Sequence, residues 1–146
     1  MQIDVQNLQK RIPLKPKQIV LKAKRILRHE GIRQVSLSIA FVTDARIKTL
    51  NKKYLNANYA TDVLAFDFSS SAGRKSNTQK KIFGEIIIST GAACRQAKIF
   101  QNSRERELAL YLIHGILHLL GFDDHQPKDI KRMRAREQVL LDFLKI

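Results

Sequence analysis

The sequence predicts one α+β domain, a small sheet with helices packed against it, and three observations carry that reading. The 146 residues suffice for one domain, 1–146, whose core needs no disulfide. Val35, Leu37, Ile39 and Phe41 alternate along the chain, the period of a strand with one buried face. Leu108 to Leu120 is apolar nearly all round, as in a helix enclosed by the rest of the fold. The mixed order of strand and helix patterns around one sheet fits α+β or an irregular α/β arrangement.

Taken in order, Ile3 and Val5 mark a short strand. Ile19, Ala23, Ile26 and Leu27 keep helical spacing, with Gly31 placed to end that helix and Lys17, Lys22, Lys24, Arg25 and Arg28 on its other faces. After the strand through Phe41, Thr43 or Asp44 can cap a helix carrying Ile47, Leu50 and Tyr54. Val63 to Phe68 and Ile82 to Ser89 read as strands, the second apolar enough to be central. Between them Ser69 to Lys81 is polar and aperiodic, a surface loop. From Gly91 the chain is helical, with a break at Asn102 and Ser103 and acids Glu105 and Glu107 in the next first turn. Gly121 stops the apolar helix. Pro127 starts the last one, with Ile130, Met133, Leu140, Leu141 and Leu144 inward. No internal repeat is present.

Charge narrows the function. Lys and Arg number 27 against 13 Asp and Glu, a net +14. That excess repels itself in a compact chain and fits a polyanionic partner, nucleic acid first. No apolar stretch is long enough to span a bilayer and no signal-peptide pattern opens the chain, so no membrane association is expected. The single cysteine, Cys94, excludes an internal disulfide and a thiolate zinc site, which fits a cytoplasmic location.

Three of the four histidines fall within twelve residues: His114, His118 and His125. His114 and His118 are i, i+4 on the apolar helix, about 5–6 Å apart at Cβ, so both imidazoles can reach one ion. Imidazoles on such a helix cost desolvation energy unless partnered, and a metal meets that need. After Gly121 turns the chain, Asp123, Asp124 or His125 can add a third donor. Three protein ligands with an open fourth position describe a catalytic zinc site. Zinc suits these donors, one ion per chain, although nickel or copper would bind them too. Gly115 stands where a zinc peptidase of the H-E-x-x-H type carries its general base, which counts against a peptidase. His29, beside Glu30 at the end of a basic helix, needs no role beyond the helix dipole.

The stretch His114-Gly115-Ile116-Leu117-His118-Leu119-Leu120-Gly121-Phe122-Asp123-Asp124-His125 resembles the H-G-x-L-H-L-x-G-Y-D-H signature of the bacterial YbeY family. Thr61-Asp62-Val63-Leu64-Ala65-Phe66 is similar to its T-D-V-L-S-F, Phe83 to Ser89 to its L-G-D-I-x-I-S, and Leu50-Asn51-Lys52-Lys53-Tyr54 to its L-N-x-x-Y. The resemblance covers Asp44 to His125. It implies a zincin-like α+β fold with a mixed sheet, three zinc-binding histidines, and a metal-dependent endoribonuclease acting on single-stranded RNA in ribosomal RNA maturation. Two departures stand out. The family's third histidine aligns with Asp124, one residue before His125. His125 is the expected third ligand if the loop absorbs one residue, and Asp124 is the alternative. The family's arginine after the tyrosine is Leu55 here, so a cationic role would pass to a neighbour such as Lys52 or Lys53. The expected site is therefore His114, His118 and His125 for metal, with Lys52, Lys53 and Arg74 for RNA. A ribosome-binding protein that uses its metal only as a brace, and a zinc peptidase, are the rival readings.

Overall fold

The computed structural model describes residues 1–69 and 81–146. Most of the expected polar loop, and Arg74 with it, lies outside the described residues. The elements run β1 (Gln2–Asn7), α1 (Pro16–His29), β2 (Gln34–Val42), α2 (Asp44–Leu55), β3 (Val63–Asp67), β4 (Lys81–Ser89), α3 (Thr90–Phe100), α4 (Arg104–Leu119) and α5 (Pro127–Leu144). The four strands form one mixed sheet in the order β1-β2-β4-β3. β1 and β4 run parallel to β2, and β3 runs antiparallel to β4. The nearly continuous apolar run of β4 thus occupies an inner position, where both faces are covered. This is the α+β class with the small mixed sheet that the sequence predicts.

Alternation along the strands assigns the two faces. Leu37, Ile39 and Phe41 of β2 and Ile82, Ile86 and Ile88 of β4 point into the main core with α1, α4 and α5. Ala40, Val42 and Ile87 point the other way and pack with Ile47 of α2 and Leu64 of β3. The β2 strand is therefore half-buried only at its start, because α2 covers the second face of its end. Gly115 lets α4 lie close on β4. A Cβ there would come 2.8 Å from Ile86 Cγ2, nearer than side chains pack. Position 115 hence faces the sheet, and a carboxylate there would have no route to the histidine pair.

Caps hold the helix starts where their sequences place them. Thr43, rather than Asp44, caps α2 by accepting from the Arg46 N–H. Ser103 caps α4 by accepting from Arg106 N–H. At the other end of α4, Gly121 takes φ 98°, a left-handed conformation that glycine adopts without strain. The turn sends the chain back over the end of α4 toward α5. Ten of the sixteen residues of α4 are buried. That enclosure makes its side chains costly to truncate: Leu112→Ala would remove about 2–5 kcal/mol.

Candidate metal centre

His114 and His118 lie one turn apart on α4, on the face left open between the sheet edge and α5. Their rings meet edge to face with centroids 4.5 Å apart, and their Nε2 atoms are 2.9 Å apart. The side chains are 21% and 29% exposed, so they are partly open to solvent rather than sealed. Asp124 brings Oδ2 to 3.5 Å from His114 Nε2 and 3.4 Å from His118 Nε2. Three donor atoms thus converge on one point, two imidazole nitrogens and one carboxylate oxygen.

The spacing suits a cation. Zinc bonds of 2.0–2.1 Å at tetrahedral angles separate ligand atoms by about 3.3 Å. The observed separations of 2.9, 3.4 and 3.5 Å bracket that figure. His118 also occupies the last turn of α4, where the helix dipole favours positive charge.

The loop after Gly121 explains why Asp124 enters and His125 does not. Asp123 Oδ1 accepts from the Asp124 N–H at 2.7 Å, which pins that turn. Successive side chains then leave the chain in opposite directions, and only one of the neighbours can face α4. His125 is 82% exposed, and among the described residues its imidazole pairs with the carboxylates of Asp123 and Asp124, at 3.6 and 3.9 Å. The expected third ligand therefore stands outside the cluster, and the structure brings its alternative, Asp124, to the pair.

Glu137 completes the centre from α5. Its Oε2 lies 3.1 Å from His114 Nδ1, and the carboxylate is only 12% exposed. A carboxylate accepts, so it favours the tautomer in which Nδ1–H donates to it and the Nε2 lone pair faces the cluster. Burial pushes the His114 pKa down, but the hydrogen bond and charge of Glu137, with the charges of Asp62 and Asp124, raise it overall.

These groups line a cavity of about 270 Å³ whose walls come from four places. Asp62 precedes β3. Tyr111 and His114 come from α4, Asp124 from the loop, and Ile130, Met133, Arg134 and Glu137 from α5. The α5 residues sit at i, i+3, i+4 and i+7, one stripe of a helix. The Tyr111 hydroxyl is buried without a hydrogen-bond partner among the described residues. Burial first, then the charges of Asp62 and Glu107, push its pKa up, so it stays protonated at any physiological pH.

Lys52 and Lys53, expected to hold RNA, lie on α2 across the sheet from α4 and do not line this cavity. Lys53 Nζ rests 5.2 Å from the centroid of the Tyr54 ring. Leu55 is exposed and outside the cavity as well. Asp62, Tyr111, Arg134 and Glu137 were not expected at the site. Asp62 had a signal, since it belongs to the Thr61-Asp62-Val63 motif. Glu137 and Arg134 had a fainter one, charged residues in register with the inward Ile130 and Met133.

A small α+β fold with a solvent-reachable cluster of two imidazoles and a carboxylate on a buried helix is the framework of a metal-dependent hydrolase. The comparisons specify which. The family model described as Endoribonuclease YbeY matches residues 4–145. The Endoribonuclease YbeY of Alkaliphilus metalliredigens is 33% identical over 94% of this chain and 91% of its own. That of Syntrophus aciditrophicus is 34% identical over 99% and 90%, and that of Pelotomaculum thermopropionicum 36% over 85% and 82%. The chain belongs to the YbeY family. In fold it is similar to the solution structure of TM1509 from Thermotoga maritima, with a TM-score of 0.62 and 22% identity over 98% of this chain and 91% of that one.

Proposed function

We propose that this protein is a zinc-dependent endoribonuclease that cleaves single-stranded RNA, with ribosomal RNA as its substrate in ribosome maturation. The observation that carries the reading is the convergence of His114 Nε2, His118 Nε2 and Asp124 Oδ2 at separations of 2.9–3.5 Å, with His114 and Asp124 lining a cavity open to solvent. The relatives' names as endoribonucleases supply the substrate class. The net charge of +14 fits the same polyanion.

The ligands in this reading are His114, His118 and Asp124, with His125 left outside. A divalent ion bound there supplies Lewis-acid charge to a phosphodiester. The chain's own residues prepare the place. Glu137 keeps the His114 proton on Nδ1 and fixes the ring. Ile130 and Met133 give the cavity an apolar wall, which strengthens charge interactions within it. Asp62, beside the histidines, is placed to accept a proton from water or from a ribose hydroxyl, the role that Gly115 leaves vacant on α4.

The chain would act in the cytoplasm as one domain. Cys94 is free and buried, and among the described residues no helix is long and apolar enough to cross a membrane. The direct test is cleavage of a labelled single-stranded RNA. Activity should vanish with a chelator, return with zinc, and leave duplex RNA largely intact. Cleavage that is indifferent to chelation would contradict the reading. Hydrolysis of a peptide panel without RNA cleavage would favour the peptidase.

A further inference from the structure

The cavity has an acidic interior, and its substrate in the reading above is a polyanion. Asp62, Asp124 and Glu137 line it, and among the described lining residues Arg134 is the one Lys or Arg. Metal charge offsets part of that field at the centre, but it does not guide a phosphate chain toward the opening. Positive charge placed at the rim would do so.

α5 has that charge where the rim requires it. Residues 128–136 contain Lys128, Lys131, Arg132, Arg134 and Arg136 against one acid, Asp129. Arg136 is committed elsewhere, donating to Glu30 Oε1 at 2.6 and 3.0 Å. Arg132 lies with its guanidinium over the Phe122 ring, 5.3 Å from its centroid, beside the loop that carries Asp124. Lys128, Lys131 and Arg134 are exposed, and none forms an ion pair with a described residue. Lys128, Lys131 and Arg132 are at i, i+3 and i+4, so they share one face of the helix. Arg134 sits beside that face, on the stripe that lines the cavity. Like charges at this spacing repel one another and weaken the helix unless an anion lies across them.

The basic helix α1 differs. Lys22 pairs with Glu105 at 3.0 Å, Arg25 covers the Phe143 ring, and none of its residues lines the metal cavity. On α2, Lys52 and Lys53 lie across the sheet. Among the described residues, α5 is the helix that joins cations without an ion pair to the cavity wall.

We propose that the exposed basic residues of α5, Lys128, Lys131 and Arg132 on one face with Arg134 beside them at the cavity, form the surface that holds the phosphate backbone of single-stranded RNA and leads it to the metal centre. Arg134 is the innermost contact. The span from residue 128 to 134 is about 9 Å of helix, at 1.5 Å per residue. The proposal rests on the endoribonuclease reading and adds to it the path by which substrate arrives.

The test is binding of a labelled oligouridylate to the metal-loaded protein across a range of salt concentrations. Each neutralised phosphate contact contributes about 0.7 to the slope of log affinity against log salt for a single strand. Lys131→Ala and Arg134→Ala should each lower the slope by about that amount and weaken binding roughly three- to ten-fold at low salt. Metal content and melting temperature should stay those of the wild type. Arg134→Lys should keep the slope, since charge is what the backbone reads there. The double variant Lys52→Ala, Lys53→Ala provides the comparison. Slopes unchanged in the α5 variants, or a larger loss in the α2 double variant, would overturn the proposal. So would α5-dependent binding to phosphatidylglycerol vesicles in place of the oligouridylate. Wild-type protein that cleaves RNA while the α5 variants bind and cleave equally well defeats only this path. Wild-type protein that neither binds nor cleaves RNA defeats the endoribonuclease reading and this path together.

Discussion

The two faces of the sheet make a controlled comparison. The α4 face holds a cavity of about 270 Å³, and the α2 face holds a larger one, about 380 Å³, lined by Leu50, Tyr54, Phe66, Phe68 and Ile87 among others. Size does not select the site. On the α2 face, the polar groups near the helix close on one another. Asp44 accepts from Ser89 Oγ at 2.7 Å and pairs with Arg95, and Asn51 donates to the Tyr59 carbonyl. Among the described residues, no convergent set of metal-binding donors lines that groove. On the α4 face, the packing of a largely buried helix forces its few polar side chains together on one open strip, and α5 and the loop add carboxylates to meet them. Ligand-type side chains converging at one opening, with the unpartnered Tyr111 hydroxyl beside them, mark the site.

The largest effect should come from the pair itself. Replacing His118 with alanine removes one of three donors, so stoichiometric zinc should be lost on dialysis and RNA cleavage with it. A His118→Ala protein that retains one zinc and full activity would remove the distinction between the faces. Next is Glu137→Gln, which keeps the shape but loses the carboxylate behind His114. Loss of such a supporting group costs about 10–100-fold in metal affinity, measurable by competition with a chromophoric chelator. Melting temperature without metal should change little by comparison.

A smaller effect belongs to the α2 face. Arg95, together with the Ser89 hydroxyl, holds the Asp44 carboxyl below its ordinary value of 3.8, against the opposing effect of burial. A carboxyl with a lowered pKa stabilises the fold while ionised. That contribution is complete above the unfolded value and fades as pH falls through the lowered one. Thermal melts should therefore show Asp44→Asn less stable than wild type at neutral pH, with the gap closing below about pH 4. An unchanged gap at pH 3 would mean that the difference does not come from the ionised Asp44 carboxylate. The smallest effect is at the groove: Phe68→Ala should leave zinc affinity within about two-fold, since distant sites act independently.

Much of this comparison is legible in the sequence. The i, i+4 histidines on an apolar helix announced their own convergence, because helix periodicity is local and burial leaves them one direction to face. The inward residues of α1, β2 and α5 followed from period alone. The approach of Asp124 to the pair did not. It depends on a hydrogen bond from the Asp124 N–H to Asp123 Oδ1 and on the direction of the chain after Gly121, and neither is a local signal in the sequence. Glu137 and Arg134 were hidden for a different reason. They are 23 and 20 residues beyond His114 in the sequence, and only the packing of α5 on α4 makes them neighbours. Lys52 and Lys53 show the converse, since their sequence motif is close to the expected pattern but the sheet separates them from the histidines.

The central claim is that Asp124, and not His125, closes the metal centre with His114 and His118. Zinc titration of Asp124→Ala and His125→Ala, side by side with the wild type, tests it most directly. Asp124→Ala should lose roughly ten-fold or more in affinity, at least the loss expected for a supporting group, while His125→Ala stays within about two-fold of the wild type. The reverse order would contradict the account, placing His125 in the coordination sphere and Asp124 outside it.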